Sequence, residues 1–378
     1  MEEWKRIKLS EVLKEKTERN KNNETDLVLS VTNSQGFVKQ SDFFEGTVHS
    51  EDISNYKLVR KNEFAYNPSR INVGSIDILK EYDIGALSPM YVIFSVDETR
   101  LLPDYFKYYF QTHRFNENVK NNTQGSVRNS LSFKALSEFE YLLPPLEEQK
   151  RIVKILDQVN RIIEKYQNLI NEKEQFIKSQ FVEMFEHNNG ICMKTLKMVT
   201  SFQQGTQVPI EQQTDEMLEG YKRFLRIIDY TQPPQEARYV NVKGKEVDER
   251  SVVVVRYGAS SGFVGRGYSG VLANNLFEIH PKNNCISKDF LYYSLKYGSF
   301  ESVINKKASG AAMPAISFNM IEDIMIPIPD IELQNRFADI VQLIDKQKFE
   351  LEKQKQNYID LKKGLMQQLL TGKVKLDV

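Results

Sequence analysis

The chain contains the same helix entrance twice, once in the middle and once near the end. The segment PPLEEQKRIVKIL begins at Pro144, and PDIELQNRFADIV begins at Pro329. With an offset of 185 residues, both have proline, glutamate, glutamine and arginine at matching places. Such a repeat constrains the fold more than any other feature, because each copy has to form one structural unit.

The similarity extends upstream of the helix entrance. Six residues of the first copy match the second at the same offset: Asp104, Tyr108, Phe115, Gly125, Ser132 and Phe133 align with Asp289, Tyr293, Phe300, Gly310, Ser317 and Phe318. Closer to the N-terminus the offset becomes 191, where YNPSRINVGS from Tyr66 aligns with YGASSGFVGR from Tyr257. We therefore predict two diverged copies of one unit, each a globular part followed by a long helix.

A three–four spacing of apolar residues predicts the helix in each copy. Proline cannot lie inside a helix, so Pro144 and Pro145 mark the first start, and Asp330 is the predicted N-cap of the second helix. The predicted apolar seams are Ile152, Ile155, Val159, Ile162, Tyr166, Leu169 and Phe176, then Phe337, Ile340, Ile344, Leu351, Tyr358, Leu361 and Leu365. A helix of about 40 residues spans roughly 60 Å.

Two arrangements would bury these seams. Each helix could pack on its own globular part, or the two helices could pack against each other. Because uninterrupted seams of this length usually meet another helix, we favour an antiparallel coiled coil that holds the two globular parts around a pseudo-twofold axis.

The globular parts are predicted to be mixed α and β. The β-rich runs DLVLSV, MYVIFSV, RSVVVVRYG and NLFEIHP alternate with turn signals, and LPDYFKYYFQTHRFNENV and SKDFLYYSLKYGSFESVI each predict one helix. The fold class is therefore α+β. Two tandem domains cover residues 1–145 and 191–329, with a central spacer helix at 146–190 and a C-terminal spacer helix and tail at 330–378.

Composition argues against several classes of protein. No apolar stretch approaches the roughly 18 residues of a membrane helix, and the N-terminus lacks a signal-peptide pattern. With Cys192 and Cys285 as the only cysteines, a disulfide framework is implausible and a reducing cytoplasm is expected. The four histidines are scattered, so no metal site is predicted. The 51 Lys and Arg balance 51 Asp and Glu, which argues against a strongly basic coat but allows a local basic face.

Catalytic motifs are weak or missing. FVGRG, from Phe263, matches the FxGxG of cofactor loops, but its counterpart NVGSI lacks the second glycine, so a turn is the favoured interpretation. An adenine-methylase motif [DN]PP[YF] is missing, and NPSR at Asn67 does not match it. No Walker A sequence occurs, so ATP-driven translocation is not predicted for this chain.

The chain resembles the specificity (S) subunits of type I restriction–modification systems. The resemblance covers essentially the whole chain and rests on LPPLEEQKRIVKILDQV, its echo PIPDIELQNRFADIVQLI, and the closing LKKGLMQQLLTGKVKLDV. It implies two target-recognition domains that each read half of a split asymmetric DNA site, joined by helices that dock two modification (M) subunits. S-adenosylmethionine, ATP and Mg²⁺ would belong to the M subunits and to the motor-nuclease restriction (R) subunits.

The expected DNA contacts are polar and basic side chains on loops at matching places in the two copies. They are Ser69, Arg70, Asn72, Gln124, Ser126, Arg128 and Asn129 in copy one, and Arg256, Ser260, Ser261, Arg266, Lys306, Lys307 and Ser309 in copy two. Each of them alone is equally well explained as an ordinary solvated turn residue.

The predicted function is a non-catalytic DNA-recognition subunit that directs adenine methylation by M subunits and cleavage by R subunits. The alternative is a coiled-coil scaffold that binds proteins rather than DNA, and the zero net charge is its best argument. A self-contained methyltransferase or nuclease is a third possibility, which the missing motifs argue against.

Overall fold

The computed structural model describes residues 3–43, 52–123, 130–188, 190–232, 236–308 and 315–374. The chain divides into two compact units, Met1–Lys165 with Gln354–Val378 (unit 1) and Tyr166–Lys353 (unit 2). Each unit contains one globular part and a segment of each long helix.

Copy one supplies the globular part of unit 1. Its strands among the described residues are β1 (Lys5–Lys8), β2 (Leu13–Lys16), β3 (Leu29–Thr32), β4 (Gly36–Lys39), β5 (Lys57–Arg60), β6 (Phe64–Tyr66), β7 (Ile76–Ile78), β8 (Ile84–Leu87), β9 (Val92–Val96) and β10 (Glu140–Leu143). Its helices are α1 (Gln40–Phe43), α2 (Pro103–Tyr109), α3 (His113–Thr123), α4 (Phe133–Ser137) and the long α5 (Leu146–Phe181), with 3₁₀ turns at Leu9–Glu11 and Ile71–Val73.

Copy two supplies the globular part of unit 2. Its described strands are β11 (Cys192–Thr195), β12 (Thr200–Gln204), β13 (Gln213–Thr214), β14 (Lys222–Leu225), β15 (Arg238–Val240), β16 (Glu246–Val247), β17 (Val252–Val255), β18 (Val264–Gly265), β19 (Gly270–Leu272), β20 (Leu276–Pro281) and β21 (Met325–Ile328). Its helices are α6 (Leu196–Val199), α7 (Ile227–Thr231), α8 (Lys288–Tyr297), α9 (Phe300–Ala308), α10 (Phe318–Ile321) and the long α11 (Ile331–Leu369), with a π-helical turn at Val182–Glu186 and a 3₁₀ turn at Ile210–Gln212.

The sheet topology confirms the internal repeat. The central antiparallel sheet has the strand order β2-β9-β6-β7 in copy one and β12-β20-β17-β18 in copy two. Each copy also has an antiparallel pair that joins its first strand to its last, β1 with β10 and β11 with β21. The copies differ in their additional strands. Copy one has the pairs β3-β4 and β5-β8, whereas copy two has a five-stranded sheet of order β13-β15-β14-β19-β16.

The repeated helix entrance is held by one buried glutamine in each copy. Gln149 donates to the carbonyl oxygens of Arg100 and Pro144 at 2.8 and 2.9 Å and accepts from the Leu102 amide at 2.8 Å. Gln334, at the matching position, makes the same three hydrogen bonds, to Cys285 O (2.7 Å), Pro329 O (2.9 Å) and Ser287 N (2.9 Å). Because both side chains are fully buried, this glutamine explains why the sequence preserves the entrance twice.

The long helices begin where the sequence predicts. Helix α5 starts at Leu146, directly after the two prolines, and α11 starts at Ile331. Asp330 caps α11, since its Oδ1 accepts from the Leu333 amide at 2.8 Å. The four β-rich runs also form strands, namely β3, β9, β17 and β20.

The prediction of one helix before each exposed loop is wrong, because two helices occur there in each copy. In copy one, α2 ends at Tyr109 and α3 begins at His113, and the Thr112 hydroxyl accepts from the Phe115 amide at 3.2 Å as a cap. In copy two, Gly298 has an extended backbone (φ −82°, ψ −163°) that ends α8. A polar cap and a glycine thus interrupt patterns that are apolar enough to continue.

The seam prediction is correct at some positions and wrong at others. Ile152, Val159 and Phe337 are buried, and Ile155, Ile162, Tyr166, Leu169, Ile344, Leu351 and Tyr358 are partly buried. Ile340 and Leu361, in contrast, are 53% and 49% exposed, and Phe176 is 54% exposed. The buried positions are the neighbouring Val341, Met366, Leu369 and Ile177. The seam follows the 3.6-residue helical period, which drifts from a strict heptad over this length.

Both of the predicted packing arrangements of the long helices occur in part. Ile152 and Leu156 of α5 join the core of the copy-one globular part, so this helix packs on its own domain, and Met366 of α11 joins the same core from the helix of the other copy. In unit 2 the two helices also contact each other, through Lys173 with Gln347 (2.7 Å) and Phe181 with Phe337 (ring centroids 5.7 Å apart). Residue numbers increase along α5 while those of the contacting residues decrease along α11, so these segments are antiparallel. A coiled coil along the full length remains a prediction.

Candidate nucleic-acid interface

The first predicted DNA-contacting loop lies between the third and fourth strands of the central sheet in each copy. The amide of Asn67 donates to Ser75 O at 3.2 Å, and the amide of Val255 donates to Phe263 O at 3.0 Å. Glycines with left-handed backbones end both loops, Gly74 at φ +88° and Gly262 at φ +91°. The loops are therefore equivalent with an offset of 188 residues.

This equivalence corrects the predicted alignment of the loops. Aligning YNPSRINVGS with YGASSGFVGR placed Tyr66 opposite Tyr257, with an offset of 191. The strand registers instead place Tyr66 opposite Val254, since Tyr66 pairs with Ile76 and Val254 pairs with Val264. The three-residue error arose because more letters match at the offset of 191, where Val73 and Gly74 align with Val264 and Gly265, than at the correct offset of 188, where Gly74 aligns with Gly262 but Val73 faces Ser261.

In each copy, a residue that follows the second predicted loop is hydrogen-bonded to the first predicted loop. Leu131, just after the second loop of copy one, donates its amide to Pro68 O at 3.1 Å, and Ile316 donates to Arg256 O at 2.9 Å. Gln124, Ser126, Arg128, Asn129 and Ser309 lie outside the described residues, as does the side chain of Lys307. Lys306 is exposed in the last turn of α9.

In copy one, the first loop presents its predicted residues to solvent. Ser69, Arg70 and Asn72 are all exposed. Sequence reasoning missed Asn67, which is 8% exposed and whose Oδ1 accepts from the Ser69 amide at 3.0 Å. An asparagine followed by proline is a turn signal that would have identified it. The turn therefore fixes the backbone from which the three exposed side chains project.

In copy two, the predicted serines line a cavity. Ser260 and Ser261 are half-buried and face a cavity of 660 Å³ within unit 2. Its other walls include Lys178 of α5 and Tyr292 and Lys296 of α8. The walls thus combine hydroxyl and ammonium donors with the carboxylates of Glu174 and Glu301.

Lys296 remains a cation in this cavity. Burial alone would lower the pKa of Lys296, but the neighbouring Tyr292 and the carboxylate of Glu174 outweigh it and raise the pKa. Glu174 contacts Lys296 at 3.3 Å and also pairs with Lys348. The cavity therefore retains positive charge on its α8 wall at neutral pH.

Arg256 is partly buried and is held by protein groups. Its Nη1 donates to Gln204 Oε1 at 2.5 Å and its Nε donates to Ile316 O at 3.2 Å. The guanidinium also lies over the rings of Tyr257 and Phe318, at 5.0 and 5.6 Å from their centroids. Sequence reasoning identified Arg256 but missed Gln204, whose only sequence signal is its place at the end of β12.

Arg266 is held by protein groups, and its predicted role as a DNA contact stays a prediction. Its Nη1 donates to Asp289 Oδ1 at 2.9 Å and its Nη2 donates to the Tyr293 hydroxyl at 2.6 Å. The side chain is 20% exposed and lies 4.2 Å from the ring centroid of Tyr292. With the corrected offset, Arg266 corresponds to Ile78 at the end of a strand, outside the loop. Turning it toward DNA would leave the nearly buried Asp289 with fewer partners.

Among the described residues, none of the helices combines the length and apolar character needed to cross a membrane. Over the same ranges, no group of three or more His, Cys, Asp and Glu side chains is placed to hold a metal ion.

Comparison with known proteins identifies the family. A family model described as "Type I restriction modification DNA specificity domain" matches residues 1–175 and 236–361. The chain belongs to this family. The specificity subunit of the type I restriction enzyme MjaVIII of Methanocaldococcus jannaschii is 30% identical over 159 residues, which are 42% of this chain and 37% of that protein. The putative MjaX specificity subunit of the same organism is 24% identical over 370 residues, covering 87% and 82% of the two chains.

Two solved structures share the fold of this family member. A chain from a study of complex assembly and conformational transition of the type I R-M system has a TM-score of 0.57 at 14% identity, with 98% of each chain covered. The S subunit of a type I system from M. genitalium has a TM-score of 0.53 at 15% identity, covering 99% of this chain and 96% of that one. The resemblance to S subunits is confirmed, and the comparisons give no support to the scaffold alternative.

Proposed function

We propose that the chain is the DNA-recognition subunit of a type I restriction–modification complex and has no catalytic activity of its own. The observation that carries this proposal is the pair of equivalent loops, 68–74 and 256–262, on a sheet that is the same in both copies. A tandem of two unlike readers recognises a site with two unlike halves, whereas two identical readers recognise only a palindrome. The target is therefore a bipartite, asymmetric site in double-stranded DNA.

The long helices are proposed to set the gap between the half-sites and to dock two M subunits. Ile340 and Leu343, three residues apart on one face of α11, are 53% and 64% exposed, and Phe349 is 64% exposed. Exposed apolar side chains on a helix are typical of a surface that a protein partner covers. The exposure of Ile340, which contradicts its place in the buried seam, thus supports a role toward a partner.

The partners are proposed to supply the chemistry and much of the grip on DNA. The M subunits would carry S-adenosylmethionine for adenine methylation, and the R subunits would carry ATP and Mg²⁺ for translocation and cleavage. A chain with equal numbers of basic and acidic residues has few cations to spare for phosphates. Tight binding is therefore expected of the assembled complex in the cytoplasm rather than of the isolated chain.

The decisive experiment is genome-wide mapping of adenine methylation by long-read sequencing, with and without the gene, in cells that supply the modification subunits. The proposal expects one split, asymmetric methylated motif that disappears when the gene is deleted. An unchanged methylation pattern would overturn it. A chimera in which residues 191–329 come from another family member is the matched control, since it should change one half of the motif and leave the other.

A further inference from the structure

Three strand ends meet at one edge of the central sheet of copy two. Strands β12 and β17 are both antiparallel to β20, with Gln204 opposite Phe277 and Val255 opposite Leu276. The last residues of β12 and β17 therefore lie beside the first residue of β20. The loop 256–262, a proposed DNA contact, leaves the sheet at this same edge.

A chain of side-chain hydrogen bonds runs along this edge. Arg256 Nη1 donates to Gln204 Oε1 at 2.5 Å, and Gln204 Nε2 donates to the carbonyl oxygens of Asn274 and Leu276. Asn274 in turn donates its Nδ2 to Gln207 Oε1. Arg256 and Gln204 are partly buried, whereas Gln207 and Asn274 are exposed. This chain of hydrogen bonds thus runs from a partly buried guanidinium to two amide side chains on the protein surface.

The buried end of this chain is held in place. Arg256 Nε also donates to Ile316 O at 3.2 Å, and its guanidinium lies over two aromatic rings. Gln204 is held by two carbonyl oxygens at the start of β20. Side chains ordered in the free protein lose less conformational entropy on binding, which favours a precise contact.

The exposed end has the hydrogen-bonding pattern of an adenine reader. The bond between the two amides uses the nitrogen of Asn274 and the oxygen of Gln207. The other polar atoms of the pair are Asn274 Oδ1, an acceptor, and Gln207 Nε2, a donor. Adenine presents the complementary donor and acceptor, N6 and N7, in the major groove, and asparagine and glutamine are the side chains that match them.

At the equivalent edge of copy one, the described residues do not form this chain of hydrogen bonds. The strand registers place Thr17 at the position of Gln204, since Lys16 pairs with Ile93 as Gln203 pairs with Glu278. Pro68 corresponds to Arg256. Pro89 corresponds to Asn274, because the turns that follow have the same hydrogen bond, Tyr91 N to Ser88 O and Leu276 N to Ala273 O. The network is therefore a property of one reader and not of the shared fold.

We propose that Gln207 and Asn274 determine an A·T pair in the half-site read by copy two, with Gln204 and Arg256 as positioning residues. This inference rests on the proposed function. It adds to that function the residues of copy two that recognise a base, and the identity of that base.

The test uses the full chain assembled with its modification subunits, and methyl transfer to DNA sites that differ at one base pair. For Asn274→Ala and Gln207→Ala we expect discrimination at one A·T position of the copy-two half-site to fall about tenfold or more, with the other half-site unchanged. Asn274→Asp, which has nearly the same shape, keeps the test informative where alanine lowers the melting temperature. Asn241→Ala, an exposed asparagine after β15, is the matched control.

The positioning role has its own measurement. Arg256→Ala should relax the same base position, and the double variant with Asn274→Ala should relax it no further, because a positioning residue affects this base through the residues that contact it. Unchanged discrimination in both Asn274→Asp and Gln207→Ala would overturn the inference, as would relaxation confined to the other half-site. A wild-type complex that methylates no split motif would instead refute the proposed function itself.

Discussion

The two globular parts have the same framework but different chemistry at the edge of the sheet. Gln149 and Gln334 make the same three buried hydrogen bonds, and both central sheets have the same strand order. At the edge, Ser69, Arg70 and Asn72 of copy one are exposed, whereas Ser260 and Ser261 of copy two are half-buried. The similarity lies in groups that satisfy each other inside the protein, where any change leaves a buried polar atom unpaired.

The exposed positions of the edge can diverge because exposed side chains contribute little to stability. Thr17, Pro68 and Pro89 in copy one occupy the positions of a hydrogen-bonded chain in copy two. Surface substitutions of this kind usually change the free energy of unfolding by no more than about 0.5 kcal/mol. One repeated fold can therefore form two different DNA readers. The interior keeps the backbone geometry that both copies share, and the side chains at the edge of the sheet carry the specificity for DNA.

Lengthening the helices tests whether the two readers are held at a fixed separation. Insertion of seven residues between Ile163 and Glu172 of α5 adds about 10 Å of helix, close to three base pairs of DNA. Alone, it should abolish assembly or methylation, because its partner helix is then too short. A matching insertion between Glu352 and Lys353 of α11 should restore activity on sites with a gap about three base pairs longer. Recognition of the original gap by the double insertion would show that the helices are not the spacer.

The shared framework predicts equal effects of equal substitutions. Gln149→Met and Gln334→Met each leave one amide and two carbonyl groups without their partner, and each should cost about 3 kcal/mol of unfolding free energy. Urea denaturation of the two variants measures this directly, and Gln158→Met on the exposed face of α5 is the control. A cost in one copy more than twice that in the other would show that the entrances are not equivalent.

Much of the shared framework could be predicted from the sequence, because apolar periodicity and the internal repeat indicate it directly. The paired helix starts, the four β-rich strands and the N-cap Asp330 were all readable from residue type and spacing. Asp330, for example, combines a side-chain acceptor with the position before an apolar period. Such local signals need no knowledge of what packs against them.

The sequence predicted the edge less well, for reasons of register and distance. The loop offset of 191 was wrong because only strand pairing, and not letter similarity, fixes that Tyr66 lies opposite Val254. The chain from Arg256 to Gln207 joins residues far apart in sequence, so no local pattern reveals it. The exposure of Ile340 likewise depends on the helical drift over several turns.

The corrected register separates two arginines that the sequence grouped together. Arg266→Ala removes hydrogen bonds to Asp289 and Tyr293, so it should cost about 2 kcal/mol of unfolding free energy and leave the methylated motif unchanged. Arg70→Ala, at an exposed loop position, should do the reverse. It should keep the melting temperature and weaken discrimination or affinity at the copy-one half-site. The same motif change in both variants would restore the grouping that the sequence suggested.

The smallest expected effect concerns an ion cluster that occurs in unit 2 at a position where unit 1 has an apolar residue. Glu174 pairs with Lys296 and Lys348, whereas Ile359 occupies the matching position, 185 residues later. Burial alone would raise the pKa of Glu174, but the ammonium groups of Lys348 and Lys296 outweigh it and lower the pKa. A carboxylate with a lowered pKa stabilises the folded state above its unfolded pKa, and the contribution is lost as the pH falls through the folded value.

Glu174→Gln should therefore lower the unfolding free energy by about 1 kcal/mol at pH 7, since the side chain is 34% exposed and solvent screens the pairs. The difference between wild type and variant should shrink as the pH falls from the unfolded-state pKa of a glutamate, about 4.3, through the lower folded-state pKa, below which the wild-type carboxylate is protonated as well. Thermal unfolding between pH 7 and pH 3.5 measures this convergence. Glu164→Gln, on an exposed position of α5, should show no difference at either end. A constant difference across the range would mean that Glu174 acts by packing, and the ion cluster would then not distinguish the two units.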